Sequence, residues 1–115
     1  PTPTPEPTIK PPRYLGPPIR NDLWVYDPNV SFYGPGFYGR RTACGQKLTK
    51  KLIGVAHKTL PCGTMVVFKY KDRIIQAPVI DRGPYVKGRQ WDLSGGLCIY
   101  LRHCFTGGLY YYIVP

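Results

Sequence analysis

Asp81 and Asp92, eleven residues apart in the stretch VIDRGPYVKGRQWDLS (Val79 to Ser94), are the side chains whose type and spacing best suit proton transfer. The chain has only six acidic residues. Glu6, Asp22 and Asp27 fall in a proline-rich N-terminal stretch and Asp72 in a turn, which leaves Asp81 and Asp92 for carboxylate acid/base chemistry. Asp81 ends a short apolar strand before Gly83-Pro84, where capping the turn is the competing use. Asp92 opens the Asp-Leu-Ser sequence ahead of a helical pattern, so helix capping is its favoured use and direct catalysis the lesser one. His57 could orient a substrate or assist Asp81; equally it could be a half-buried imidazole bonded to backbone.

The elements that must position these groups are short strands. Nine of the fourteen prolines fall in the first 28 residues, a density that excludes helix and central strand, so residues 1–28 read as an extended polyproline arm and residues 29–115 as the domain. Leu23 to Tyr26 is apolar enough to fold back onto that domain, whose barrel is expected to begin near Val30. Val30 to Tyr33 alternates as a strand does and runs into GPGFYGRRTACGQ, where glycine and proline forbid regular structure. Gly34, Gly36 and Gly39 spell GxGxxG, but no helix follows and no acid lies about twenty residues on, so a dinucleotide fingerprint is rejected. Thr64–Tyr70 and Arg73–Ile80 are β-branched and aromatic runs joined by Lys71-Asp72, the pattern of a hairpin. Pro78 must then sit at an edge or bulge. Leu97, Leu101, Cys104 and Phe105 recur at helical spacing, with Gly95 and Gly96 weakening the first turn. Leu109–Val114 is a closing strand. The fold class is mostly β, a barrel with one or two short helices.

A single small domain of this length buries a modest core, and four cysteines suit an oxidising compartment and disulfides. Cys98 and Cys104 in one regular helix would be about 9 Å apart, beyond the reach of a disulfide, so either the helix ends before Cys104 or the pairing differs. Cys44–Cys62 with Cys98–Cys104 is the favoured pairing. A zinc site adding His57 and His103 is the alternative, but no CxxC or HxxxH spacing supports it. Net charge +10 predicts attraction to polyanions of any kind. No nucleic-acid-binding motif accompanies it. No apolar run is long enough to span a membrane, and the start at Pro1 without a signal region reads as a mature or trimmed fragment.

The strings SFYGPGFYGRRTACGQ, GVAHKTLPCGT, VIDRGPYVKGRQWDLS and YYYIVP, in this order, resemble the rare lipoprotein A (RlpA-like) domains, related more distantly to expansins and barwin-type proteins. The resemblance covers Val30 to Val114. It implies a six-stranded double-psi β-barrel whose groove binds polysaccharide, with lytic transglycosylase cleavage of peptidoglycan in the bacterial members and wall loosening without appreciable hydrolysis in expansins. It also implies that Asp81 is the essential acid, that His57 and Asp92 assist, and that Ser31 belongs to the same groove. Where the transglycosylases commonly have glutamate, this chain has Gln46, which can hydrogen-bond but not titrate.

A lytic transglycosylase uses one carboxyl to protonate the glycosidic oxygen and then to take the proton of the sugar's own 6-hydroxyl, which attacks the anomeric carbon. Such a carboxyl must hold its proton near neutral pH, which burial promotes. Tyr33 and Tyr85 are the preferred groove aromatics, with Tyr38 and Trp91 as further stacking candidates and core packing as the competing use. Arg82 is a substrate-side cation that opposes a protonated Asp81 if it points inward. Arg40, Arg41, Lys87 and Arg89 read as a basic rim suited to anionic wall polymers. The expected partner is peptidoglycan or a related wall polysaccharide, met by a monomeric, tethered domain without a cofactor in the cell envelope, in the extracellular space or on a virion. The alternative is a non-catalytic wall-binding or wall-loosening module, tethered in the same way.

Overall fold

A computed structural model describes Tyr14 and residues 16–115; the polyproline reading of residues 1–13 lies outside the described residues. Six strands close into a barrel in the order β1-β5-β2-β4-β3-β6. They are β1 (Val25–Phe32), β2 (Val55–Ala56), β3 (Met65–Tyr70), β4 (Arg73–Asp81), β5 (Asp92–Leu93) and β6 (Gly107–Ile113), with one helix, α1 (Gly95–Leu101), and a 3-10 turn at Pro35–Phe37. The β1/β5 and β2/β4 pairs are parallel and the rest antiparallel, the mixed closed barrel of the double-psi architecture.

The β3–β4 hairpin is where the two β-branched and aromatic runs placed it, turning at Lys71-Asp72 with Lys71 at φ 54°. Pro78 stands opposite Met65, while Val79 N donates to Thr64 O and β2 pairs only from Val79 onward, so no ladder donor is required of it.

Three expectations are corrected. The first strand starts at Val25, not near Val30: Val25, Tyr26 and Asp27 pair with Tyr111, Tyr110 and Leu109. A bulge between Asp27 and Val30, in which the Asp27 carboxylate accepts from Asn29 N (2.9 Å), lets Pro28 lie within the strand without donating. The helix does not run to Phe105. Arg102 turns into the left-handed region at φ 56° and its N–H goes to the Cys98 and Ile99 carbonyls. That reversal brings Cys104 to Cys98, with Cα atoms 4.9 Å apart, in one disulfide; Cys44–Cys62 is the other. The helix cap is Ser94, whose Oγ accepts from Leu97 N, and not Asp92, which belongs to β5. Ser94 Oγ also accepts from Gly54 N and donates to Leu52 O. A Cβ on Gly96 would stand 2.7 Å from Leu52 O, so this weak helix former is what allows α1 to seat on the 51–54 segment.

The core is Val30, Val55, Val66, Phe68, Ala77, Val79, Leu93, Leu97, Leu101 and Leu109 around Trp91. Beside it, His103 is fully buried between Tyr70 and Phe105, its Nε2 on Gly108 O at 3.2 Å and its Nδ1 without a partner. Burial holds its pKa below the ordinary imidazole value. The native state therefore stays neutral where the unfolded chain begins to protonate. The associated stability is complete above the unfolded value of about 6.5 and drains away as pH falls toward the folded value. Thermal melts are expected to show a lower Tm at pH 5 than at pH 7. In His103→Phe the drop is expected to shrink, the remainder including His57, which burial, Arg82 and Lys58 lower in the same direction.

Candidate active site

The β2 residue Ala56 is the hub of the site. It pairs with Asp81 of β4 on one side and Asp92 of β5 on the other, so the two acids sit two strand spacings apart, about 10 Å between Cα atoms. Both line one groove of about 480 Å³. Its other walls come from the end of β1 (Ser31, Phe32), from the segment that follows it (Tyr33, Phe37, Arg40, Arg41, Thr42) and from the segment Arg82–Val86 with Arg89.

Asp81 is half-buried and its carboxyl has three donors. Oδ1 accepts from Ala43 N and Arg82 N, each at 2.8 Å, and Oδ2 accepts from the Tyr33 hydroxyl at 2.7 Å. Two amides can only donate, so a proton on this carboxyl belongs on Oδ2. A hydroxyl both donates and accepts, so Tyr33 can stay bonded whether or not that proton is present. Burial, followed by the bond to Asp81, raises the Tyr33 pKa far above its ordinary value and keeps the phenol protonated.

Asp92 accepts a hydrogen bond from Ser31 Oγ, its register neighbour on β1. Arg82 is turned away from the acid beside it. Its guanidinium donates to Leu60 O (2.6 Å) and His57 O (3.2 Å), bracing the 57–62 loop. Tyr85 stands at the rim, 79% exposed.

Other expected site residues lie elsewhere. The His57 ring does not line the groove: Nδ1 accepts from Thr59 N and Leu60 N, which leaves the proton on Nε2, 3.4 Å from the Gln90 amide, and the ring packs on Trp91. Its backbone N nevertheless donates to Asp81 O (3.1 Å). Gln46 is exposed and holds Thr42, with Thr42 Oγ1 donating to Gln46 Oε1 and accepting from Gln46 N. Trp91, a stacking candidate, is instead wholly buried against Phe68, His57 and Tyr111, because its position on the way into β5 points it inward. Tyr38 packs against Gly95, outside the groove. Arg40, Arg41 and Arg89 do form a rim, without Lys87.

Sequence reasoning missed Ala43, whose contribution is a backbone N–H. Its signal is the neighbouring cysteine. Cys44 N donates to Ile80 O and Cys44 is bonded to Cys62, so the disulfide ties the loop that supplies Ala43 N–H to the loop that Arg82 braces. Opening this 18-residue separation with Cys44→Ser/Cys62→Ser is expected to cost about 3 kcal/mol of stability. Any catalysis that depends on the placement of Asp81 should fall further, up to about a hundredfold, when assayed at a temperature where the variant is still folded. Turnover that tracks the folded fraction alone would remove this role for the disulfide.

The family model described as "Lytic transglycolase" matches residues 29–99, more than half of the chain. The chain belongs to this family. Among curated relatives, the probable endolytic peptidoglycan transglycosylase RlpA of Synechocystis sp. is 46% identical over 69 residues, covering 58% of this chain and 22% of its own. The endolytic peptidoglycan transglycosylase RlpA of Campylobacter jejuni is 42% identical over 69 residues, 58% of this chain and 25% of that one. The probable enzyme of that name from Aquifex aeolicus is 44% identical over 67 residues, 56% and 30% of the two chains. This lytic transglycolase domain thus spans between about a fifth and a third of the relatives it matches. The Streptomyces papain inhibitor shares the fold, with a TM-score of 0.59 at 22% identity over 81% of this chain and 97% of that one. Among the described residues no helix is long and apolar enough to cross a membrane.

Proposed function

We propose that this domain cleaves the glycan strands of peptidoglycan as a lytic transglycosylase, in the cell envelope or outside the cell, with Asp81 as its acid and base. The observation that carries this reading is the Asp81 carboxyl in the groove, with one oxygen held by two amides and the other beside a protonated phenol. Protonated at Oδ2, Asp81 donates to the glycosidic oxygen as that bond breaks. The resulting carboxylate takes the proton of the 6-hydroxyl as its oxygen closes on the anomeric carbon, which restores the acid without water. Tyr33 keeps the carboxyl oriented in both states, and Ser31 holds Asp92 where it can accept hydrogen bonds from sugar hydroxyls. Tyr85 and the arginine rim meet the strand at the groove's mouth. His57 acts from behind, through its backbone bonds to Asp81 and Arg82. The family membership and the names of the RlpA relatives support the substrate class.

Gln46 in place of glutamate supports a second reading, a module that binds or loosens the wall without cutting it. One assay separates them. Incubation with purified peptidoglycan and with peptide-stripped strands is expected to release 1,6-anhydromuramic products, detected by mass spectrometry. Ordinary reducing ends would mean hydrolysis, and a protein that pellets with the wall but releases nothing would leave the binding module.

A further inference from the structure

We infer that the end of the barrel remote from Asp81 carries a binding site for a phosphate group, built by Arg73 with Lys71 and Arg102. A cavity of about 130 Å³ lies there between the β3–β4 turn and the end of α1, lined by Tyr70, Lys71, Asp72, Arg73, Leu101 and Arg102. β4 has Arg73 at one end and Asp81 at the other, up to roughly 26 Å apart along the strand, and the cavity shares no residue with the groove.

Arg73 carries the argument. It is only 9% exposed, yet among the described residues its five N–H donors have one protein acceptor, the Tyr100 carbonyl, 3.2 Å from Nη1. Its guanidinium lies 5.7 Å from the centre of the Tyr100 ring, and no carboxylate pairs with it: the only ion pair among the described residues joins Arg20 to Asp22. The bond to Tyr100 O caps the last turn of α1, which accounts for one donor and no more. A buried cation ordinarily has a counter-charge, because burial has removed most of its water. An oxyanion in the cavity that Arg73 lines would supply one. Two further cations border that cavity, and both stand where the backbone favours glycine. Lys71 (φ 54°) and Arg102 (φ 56°) are the only residues other than glycine at positive φ among those described. Lys71 is the first residue of a two-residue hairpin turn and Arg102 caps α1, positions that glycine fills with less strain. Both are exposed, so core packing does not account for them. Three cations against Asp72 leave a net +2, which matches a phosphate dianion better than a single carboxylate. The fork of the Arg73 guanidinium suits the paired oxygens of such a group.

The test titrates the chain with inorganic phosphate at pH 7.5, follows the backbone amides by NMR, and uses chloride at matched ionic strength as the control. Saturable shifts centred on residues 70–73 and 101–102 are expected with phosphate alone. Lys71→Gly/Arg102→Gly is expected to weaken phosphate at least about tenfold while melting no lower than the parent, because glycine suits both positive-φ positions. Arg73→Lys keeps the charge but loses the fork and is expected to weaken it as well. Should the double variant fail to fold, Arg73→Lys carries the test alone. Undiminished affinity in the folded variants, shifts that chloride reproduces, or shifts centred instead on Arg40, Arg41 and Arg89 would each overturn the site. Glycerol phosphate and vesicles containing phosphatidic acid distinguish the sources. Glycerol phosphate that binds as the free ion does supports a soluble or polymer-borne phosphomonoester, and vesicle binding that the double variant loses supports a lipid headgroup. Vesicle binding that the double variant keeps overturns the lipid source.

Discussion

Asp81→Asn is expected to reduce the release of anhydro-sugar products at least about a thousandfold while leaving the fold intact. Asparagine has the size of the side chain it replaces. Its oxygen can still accept from Ala43 N and Arg82 N, and its amide group can donate to a Tyr33 hydroxyl that rotates to accept. What it cannot do is deliver a proton to a leaving oxygen or take one back. Unchanged thermal melting with lost turnover is the expected pair of results, and retained turnover would remove Asp81 from the mechanism. Asp92→Asn makes a useful contrast. It keeps an oxygen for the Ser31 hydroxyl and is expected to weaken product formation by much less, since no step of a one-carboxyl mechanism passes through it.

Trp91→Ala is expected to destabilise the domain by about 3–5 kcal/mol, much of the 5–15 kcal/mol that holds a small domain folded. Trp91 is wholly buried and touches Phe68 from β3, Tyr111 from β6 and the His57 ring, so its removal opens a hole where three parts of the barrel meet. Its backbone carbonyl accepts from Ser31 N, and the next residue is Asp92, so the cavity would lie directly beneath the groove. Chemical denaturation monitored by far-UV circular dichroism would measure the loss. Trp91→Phe, which keeps a ring in the site, is expected to recover part of it. A near-neutral Trp91→Ala with impaired sugar binding would instead mean that the indole stacks on substrate.

Trp91 also marks the limit of what the order of residues reveals. An aromatic in a loop next to an aspartate is compatible with stacking and with core packing, and nothing within a few residues of it distinguishes the two. Its ring neighbours His57, Phe68 and Tyr111 are all distant in the chain, Phe68 and Tyr111 on strands that lie to either side of it in sequence. Asp92 is the same case. The Asp-Leu-Ser sequence has two residues able to cap a helix, and Ser94 takes that place because Asp92 and Leu93 are drawn into a two-residue strand between β1 and β2. That assignment returns Asp92 to the groove from which capping would have withdrawn it.

The sequence by itself determined the features whose causes are local. The β3–β4 hairpin follows from two β-branched runs around a two-residue turn, the early halt of α1 was one of two options left by the Cys98–Cys104 spacing, and the motifs around Asp81 carried the family. The tertiary structure alone decided which side chains meet. It set Asp81 and Asp92 on either side of Ala56, put the Ala43 amide on the Asp81 carboxyl, turned Arg82 toward Leu60 and carried β1 back to Val25 across a bulge. The physical reason is that a closed barrel with parallel pairs joins strands distant in sequence. The partners of each site residue are therefore set by long-range register and by backbone donors, neither of which leaves a mark in the residue types nearby.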